Sequence, residues 1–496
     1  MSIPSSVGSS RIATTLYRIA FCRRMSYQGF IAPEKIVPPV HRNIKSLDRS
    51  LFSLTFDVWT VLFPEAAQMG DFIKSFKQDT VQIPRLPFLF KLSKSENNLE
   101  DYPKNPDYKA VALNHKVHSL EDIEKYLSPE ARKYIQDCDG KFFKHRFTLD
   151  YDFWKAEEIL QSTLPENLLH EVPTSFTKTG HVAHVNLKDE YKPYDSLIGQ
   201  VILDKNPYIK TVVDKQDTID SIFRTFKMKV IAGEDNLLVE QRESDCVFTF
   251  DFSKVYWNSR LSTEHGRLVK IFSPGEAICD VMAGVGPFAV PAGKKQCIVF
   301  ANDLNPESYK YLKQNVKINK VDSFVNCFNE DGRDFIKSSP KVLADYAENH
   351  KDIEVFKPNA RGTKKHKVTK VEIPRFFSHY VMNLPDSAIT FVDAFVGLFS
   401  NAFPELTRSE VKDLPGYRLP VIHVHHFEKF APTENPEPTE QELQHRIHRK
   451  LVDLLKFEIS FENLSFHYVR LVAPTKPMFC VSFTLPEEVA FAAAVK

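Results

Sequence analysis

Four glycines, Gly275, Gly284, Gly286 and Gly293, fall within 19 residues of a chain that holds only 16 in 496, about half the usual ~7%. Clustering of a scarce residue needs a local cause. An apolar run at 277–281 leads into Ala283-Gly284-Val285-Gly286-Pro287-Phe288, and glycines in a turn after a strand let backbone N–H groups approach a ligand where a Cβ would collide. A second apolar run, 297–301, ends in Asn302-Asp303, and Asn305-Pro306 then reads as the cap and first turn of a helix. Third and fourth runs, 324–328 and 380–382, end in Glu330-Asp331 and in Asn383-Leu384-Pro385. Strand, glycine turn, helix and strand in repetition is the rhythm of a parallel, doubly wound sheet. The chain closes with a helix at 441–455 and two strand-like runs, 466–472 and 478–485, which read as an antiparallel hairpin at the edge of that sheet.

Pro287 removes one N–H from the turn and no third glycine opens the following helix, so the loop does not favour a pyrophosphate. Asp303 stands about twenty residues past the glycine turn, where an acid accepts hydrogen bonds from ribose hydroxyls. A cofactor with a ribose but no pyrophosphate, S-adenosylmethionine, fits this pair of signals better than NAD does. Glu330 and Asp331 reach the same edge, where a neighbour of the adenine is expected, and Asp331 is the better candidate. With the terminal hairpin, the expected fold class is α/β: a Rossmann-like class I methyltransferase domain over 251–496, behind two smaller N-terminal α+β domains.

Those two domains are expected at 41–165 and 166–250, the second carrying short strands at 181–187, 200–203, 228–231 and 246–252. Residues 1–40 read as a targeting segment and linker: Arg11, Arg18, Arg23 and Arg24 with no acid before Glu34 is a mitochondrial-presequence composition. Met25 offers a second start that would delete the arginines, so a mitochondrial matrix form beside a cytoplasmic or nuclear one is expected. No apolar run approaches the ~18 residues that cross a bilayer, and no membrane partner is expected. A net charge of +1 gives no global argument for a nucleic-acid partner. The seven cysteines show no CxxC pair or metal-ligand spacing. His423, His425 and His426 fall on a strand-like run, 419–427, where alternate residues merely share a face, so no metal is expected. Residues 351–370, with seven Lys/Arg against two acids, read as a solvated insertion loop.

In class I methyltransferases that modify nitrogen, the end of the fourth strand faces the methyl group, and Asn-x-Pro at 383–385 would there offer an amide and a carbonyl to the target base. Before the cofactor strand, Tyr256-Trp257-Asn258-Ser259-Arg260-Leu261-Ser262-Thr263-Glu264-His265 opens a helix with Glu264 in its first turn. These strings, with 177–187, 198–206, 280–289 and 472–476, closely resemble the tRNA guanosine-37 N1-methyltransferase family of archaea and eukaryotes from about Thr174 onward. Ser259 departs from the proline common there.

The resemblance implies a first domain that reads the tRNA, a middle domain beside the active site and a catalytic domain that acts, as a monomer, on tRNA bearing G37. It places Glu264 on the general base, Arg224 on the arginine that supports catalysis, and Asn383 on the Asn of the Asn-Leu-Pro motif. The candidate cofactor-binding set is His265, Asp280, Gly284, Gly286, Asp303, Asp331 and Asn383. Guanine N1 carries a proton at neutral pH, so a base is needed, and Glu264 is expected to have its pKa raised in a pocket closed by Tyr256 and Trp257. Arg224 would stabilise the charge that spreads to O6, and Asn383 would orient the base. Aminocarboxypropyl transfer to a tRNA purine, as in wybutosine synthesis, and an inactive tRNA-binding chaperone remain the alternatives.

Overall fold

The structure, a computed structural model, describes residues 36–92, 109–219, 223, 226–357 and 367–493. The arginine-rich start of the chain and Arg224 lie outside the described residues. Two compact units emerge, one formed by residues 1–175 with 187–207 and the other by 176–186 with 208–496. The stretch 166–250 contributes to both. No helix among the described residues is long and apolar enough to cross a membrane.

In the first unit the strands β1 (Leu54–Leu62), β2 (Leu89–Lys91), β3 (Lys109–Ala112) and β4 (Lys141–Leu149) form an antiparallel sheet in the order β2-β3-β1-β4. Strict alternation along Phe143, His145, Phe147 and Leu149 buries one face of β4, as a half-solvated antiparallel strand requires. Helices α1 (Ala66–Ser75), α2 (Leu120–Tyr126), α3 (Pro129–Asp137) and α4 (Ala156–Thr163) accompany the sheet. Phe63, Phe72, Val111 and Ile135 lie in its core. The buried Asp79 accepts from both the backbone N–H and the hydroxyl of Ser128, the residue that caps α3.

The second unit begins with β5 (Thr177–Thr179) and β6 (Val182–Val185). The chain then returns to the first unit for α5 (Asp195–Lys205). This corrects the expected strand at 200–203. Leu197, Ile198, Val201 and Ile202 are all buried, a helical spacing that a four-residue apolar window cannot distinguish from a strand. Arg49 grips Asp204 with two hydrogen bonds of 2.9 and 2.8 Å within this unit.

Back in the second unit, β7 (Thr211–Ile219) and β8 (Phe226–Gly233) complete a four-stranded sheet, and β9 (Leu238–Glu243) pairs with β10 (Cys246–Asp251). Then follow α6 (Ser262–Ile271), β11 (Ala277–Asp280), α7 (Ala289–Lys294), β12 (Ile298–Asn302), α8 (Pro306–Ile318), β13 (Val325–Phe328) and α9 (Gly332–His350). Residues 351–370, expected as a loop, instead supply the arms β14 (Asp352–Lys357) and β15 (Lys367–Glu372) of an antiparallel hairpin. Val355 and Val371 pack against the core, an alternating apolar signal that the lysines obscure. The rest comprises β16 (His379–Met382), α10 (Leu398–Ala402), α11 (Arg408–Lys412), β17 (Val421–Phe427), α12 (Glu440–Leu455), β18 (Ser465–Ala473), β19 (Lys476–Thr484) and α13 (Glu487–Ala490).

Seven strands form the main sheet in the order β13-β12-β11-β16-β17-β19-β18. Five run parallel, and β19 and β18 close the edge antiparallel, as expected from the terminal hairpin. The parallel strands β11 and β12 are buried throughout, because helices cover both faces of such a sheet.

Candidate active site

Strand order reverses beside β11: β12 and β13 lie on one side and β16 and β17 on the other. Ligands of open α/β sheets sit outside the carboxyl ends of the strands at such a switch. Asp280 ends β11, Asn302 ends β12, and Asn383 directly follows β16.

The buried Asn302 binds these ends together. Its amide donates to the carbonyls of Val281 at 3.1 Å and Glu330 at 3.0 Å, and its oxygen accepts from the N–H of Glu330 at 2.9 Å. Asp303 accepts from the N–H of Gly284 at 2.8 Å with one oxygen and from that of Asn305 at 2.9 Å with the other. Burial raises its pKa, against those two backbone bonds.

The two glycines of the turn serve different ends. At Gly286, φ +100°, a Cβ would stand 2.8 Å from Val290 and 2.9 Å from Leu312, so this glycine permits packing. At Gly284, φ +55°, a Cβ would meet nothing within 4 Å, so its bare face opens onto free space. Asp280 is fully buried, and its oxygens find no well-formed hydrogen bond, only weak support from the backbone N–H groups of Met282 and Ala289. Burial first, and the charge of Asp303 second, push its pKa up to about 8. Asn383 Oδ1 is also buried, without a hydrogen-bond partner. Buried polar groups are almost always satisfied, so under-satisfied groups at Asp280 and Asn383, beside the open face of Gly284, fit a small polar ligand.

Glu264 and His265 lie in the first turn of α6, each 3% exposed. Arg267, one turn on, donates to both Glu264 oxygens, at 2.6 and 2.7 Å, the i,i+3 spacing that pairs charges on a helix. His425 Nε2 donates to Glu264 Oε1 at 2.8 Å, and His467 lies 3.4 Å from Oε2. His425 Nδ1 faces the carbonyl of Met382 at 3.3 Å. Both its partners only accept, so the ring is held as an imidazolium. Burial would lower its pKa, yet the sulfur of Cys480 and the carboxylate of Glu264 carry it up to about 10. Burial would likewise raise Glu264, but the hydrogen bonds from Arg267 and His425 hold it at about 2.

A model of the TRM5/TYW2 methyltransferase domain matches residues 239–354, and one of the TYW2 N-terminal domain matches 156–236. The tRNA (guanine(37)-N(1))-methyltransferase of Candida albicans is 47% identical over 468 residues, covering 92% of this chain and 99% of its own length. The chain belongs to the tRNA (guanine(37)-N(1))-methyltransferase family. The Saccharomyces cerevisiae member is 47% identical over 91% of this chain, and the Schizosaccharomyces pombe member 46% over 91%. Among solved structures, Trm5b of Pyrococcus abyssi superposes with a TM-score of 0.50 at 20% identity, covering 86% of this chain and 98% of that one. The complex of aTrm5 with tRNALeu does so at 0.52 and 16%, covering 86% and 99%. Both share the Rossmann-like fold expected from the glycine cluster.

For this family member, the structure gathers Asp280, Gly284, Asp303 and Asn383 at one sheet edge, and His425 links Glu264 to the strand that ends at Asn383. Asp331 stands exposed beyond β13, where it caps α9 by accepting from the N–H of Arg333 at 2.8 Å. His265 turns to Glu243 at 2.5 Å and packs edge-on against Phe288 of the glycine turn, 4.8 Å between ring centres.

The expected raised pKa of Glu264 is corrected to a lowered one. Trp257 packs at a tilt against Phe248 and Phe250, and Tyr256 is exposed with its hydroxyl accepting from Asn258. Ionic partners, not aromatic walls, surround Glu264. Sequence reasoning missed Arg267, His425, Asn302 and Cys480. Only Arg267 carried a readable signal, its spacing from Glu264.

Proposed function

We propose that this chain transfers the methyl group of S-adenosylmethionine to N1 of guanosine 37 in the tRNA anticodon loop. The carrying observation is a pair of buried groups without a well-formed hydrogen bond, Asp280 and Asn383 Oδ1, on either side of the strand-order switch, with Glu264 tied to the same edge through His425. Asp280, Gly284, Asp303, His265 and Asp331 would hold the donor, which supplies an electrophilic methyl on sulfur. Near-complete coverage of relatives named for this reaction supports the reading.

Glu264 removes the N1 proton. At about 2 its carboxylate is ionised but weakly basic, so basicity rises when Arg267 or His425 is drawn away and the burial penalty is left uncompensated. Asn383 orients the guanine, and Arg224, whose role rests on the family resemblance, offsets charge on O6.

Incubation with methyl-labelled donor and unmodified tRNA bearing G37, followed by nuclease digestion and mass analysis, should yield 1-methylguanosine. An aminocarboxypropyl adduct or no transfer would overturn the reading. Residues 1–33, with their arginines and no acid, support a mitochondrial matrix form, and Met25 a second, cytoplasmic or nuclear one. A C-terminally tagged chain absent from mitochondria would exclude the first.

A further inference from the structure

His425, Cys480 and His467 stand in one row across three adjacent strands. His425 pairs directly with Cys480 between β17 and β19, and Cys480 pairs directly with His467 between β19 and β18. Directly opposed residues project from the same face of a sheet, with Cβ atoms ~4.5–5.5 Å apart. Glu264 lies against this row, bonded to His425 and 3.4 Å from His467. One donor atom each from Glu264, His425 and Cys480 falls within 4.8 Å of the others, and all three residues are buried. His467, with 45% of its side chain exposed, stands at the solvent side.

We infer that Glu264, His425, Cys480 and His467 form a binding site for a single zinc-class divalent cation, and that its occupation withdraws Glu264 from catalysis. Carboxylate, imidazole and thiolate are the donors zinc takes, and four of them satisfy its tetrahedral preference. Bonds of ~2.0–2.3 Å place such donors roughly 3.3–3.7 Å apart. The 2.8 Å contact between Glu264 and His425 therefore opens slightly, the wider gaps among Glu264, His425 and Cys480 close by about an ångström, and the side chain of His467, which lies outside that 4.8 Å set, swings in to complete it. Zinc takes imidazole in its neutral form and sulfur as thiolate, so whatever protons these donors carry leave to water as the dication enters. Arg267, 28% exposed in its side chain, then turns outward from a carboxylate that the metal neutralises. The inhibitory effect rests on the reading of Glu264 as the base; the site itself does not.

Titration of the full-length, tag-free protein with Co2+ tests the site directly. One equivalent should produce a thiolate-to-cobalt charge-transfer band, which Zn2+ removes by competition. Cys480→Ser should lose the band, while Cys327→Ser, on the distant β13 edge, should keep it. His467→Ala should retain the band with about tenfold weaker binding. A band that persists in Cys480→Ser, or no band in the unaltered protein, would overturn the site.

Methyl transfer should fall roughly 100-fold under saturating Zn2+, the scale of a lost general base, and recover on chelation. Cys480→Ser, compared with its own metal-free rate, should escape this inhibition. Stoichiometric binding with an undiminished rate would overturn the inhibitory half and count against Glu264 as the base, leaving the site standing.

Discussion

Glu264 and His425 meet at 2.8 Å with 3% and 0% of their side chains exposed, and the histidine's other nitrogen faces the carbonyl of Met382. One imidazolium thus couples the carboxylate of α6 to the strand that delivers Asn383. The coupling also sets the electrostatic problem of the site, because the proposed base is stabilised as an anion by two cations.

Glu264→Gln should cut the single-turnover rate of methyl transfer by about 10²–10⁴-fold, the usual worth of a general base, with donor affinity largely kept. A normal rate would remove Glu264 from the mechanism.

Arg267→Gln removes one of the two cations and should raise the pKa of Glu264 toward the range its burial demands. The acidic limb of the pH–rate profile should move to higher pH than in the unaltered enzyme. An unmoved limb would show that another group titrates there.

Stability should depend on pH in a window set by the pair. Glu264 falls from 4.5 to about 2 on folding, so its contribution is complete above pH 4.5 and is lost as pH falls through 2. His425 rises from 6.5 to about 10, so its contribution is complete below pH 6.5 and is lost as pH rises through 10. Breaking a buried pair from one side costs ~3–5 kcal/mol. The destabilisation caused by His425→Gln should therefore peak between pH 4.5 and 6.5 in denaturant titrations, and a flat difference across pH 3–10 would contradict the pairing.

Asp280→Asn should stabilise the fold while weakening S-adenosylmethionine binding. Its pKa is raised from 3.8 to about 8, so the native state holds a proton that the unfolded chain has already lost. The penalty is absent below pH 3.8 and grows until pH 8. The gain on substitution should be near zero at pH 3.5 and ~2 kcal/mol or more at pH 7. Calorimetric titration with the donor and melting at both pH values would check each half.

The turn glycines should separate by readout. Gly286→Ala forces a Cβ against Val290 and Leu312 at φ +100° and should cost ~2–3 kcal/mol of stability. Gly284→Ala meets no neighbour and should cost only ~1 kcal/mol of left-handed strain, with its main loss in donor affinity. Equal melting temperatures for the two variants would refute the distinction.

The parallel sheet was legible because periodicity and turn chemistry are local: apolar runs ending in Gly284, Asp303 and Asn383 show both the strands and their edge. Glu264 was legible as a helix-start acid. Its environment was not, since His425 lies 161 residues away and looked like one of three histidines on a strand. Alternation assigned a face to His425 but not what covers that face. Leu197, Ile198, Val201 and Ile202 failed for a different reason, because so short an apolar window fits either period.

The chain crosses between the two units after residues 175, 186 and 207. During synthesis, β5 and β6 leave the ribosome before α5, the last helix of the first unit. The amino-terminal unit therefore cannot finish folding until a fragment of the second has been made, and that fragment waits, unpaired with β7, for the chain to return. A truncation after residue 165 or 175 would remove α5 from the first unit, so an isolated amino-terminal fragment should end beyond residue 207 if it is to fold.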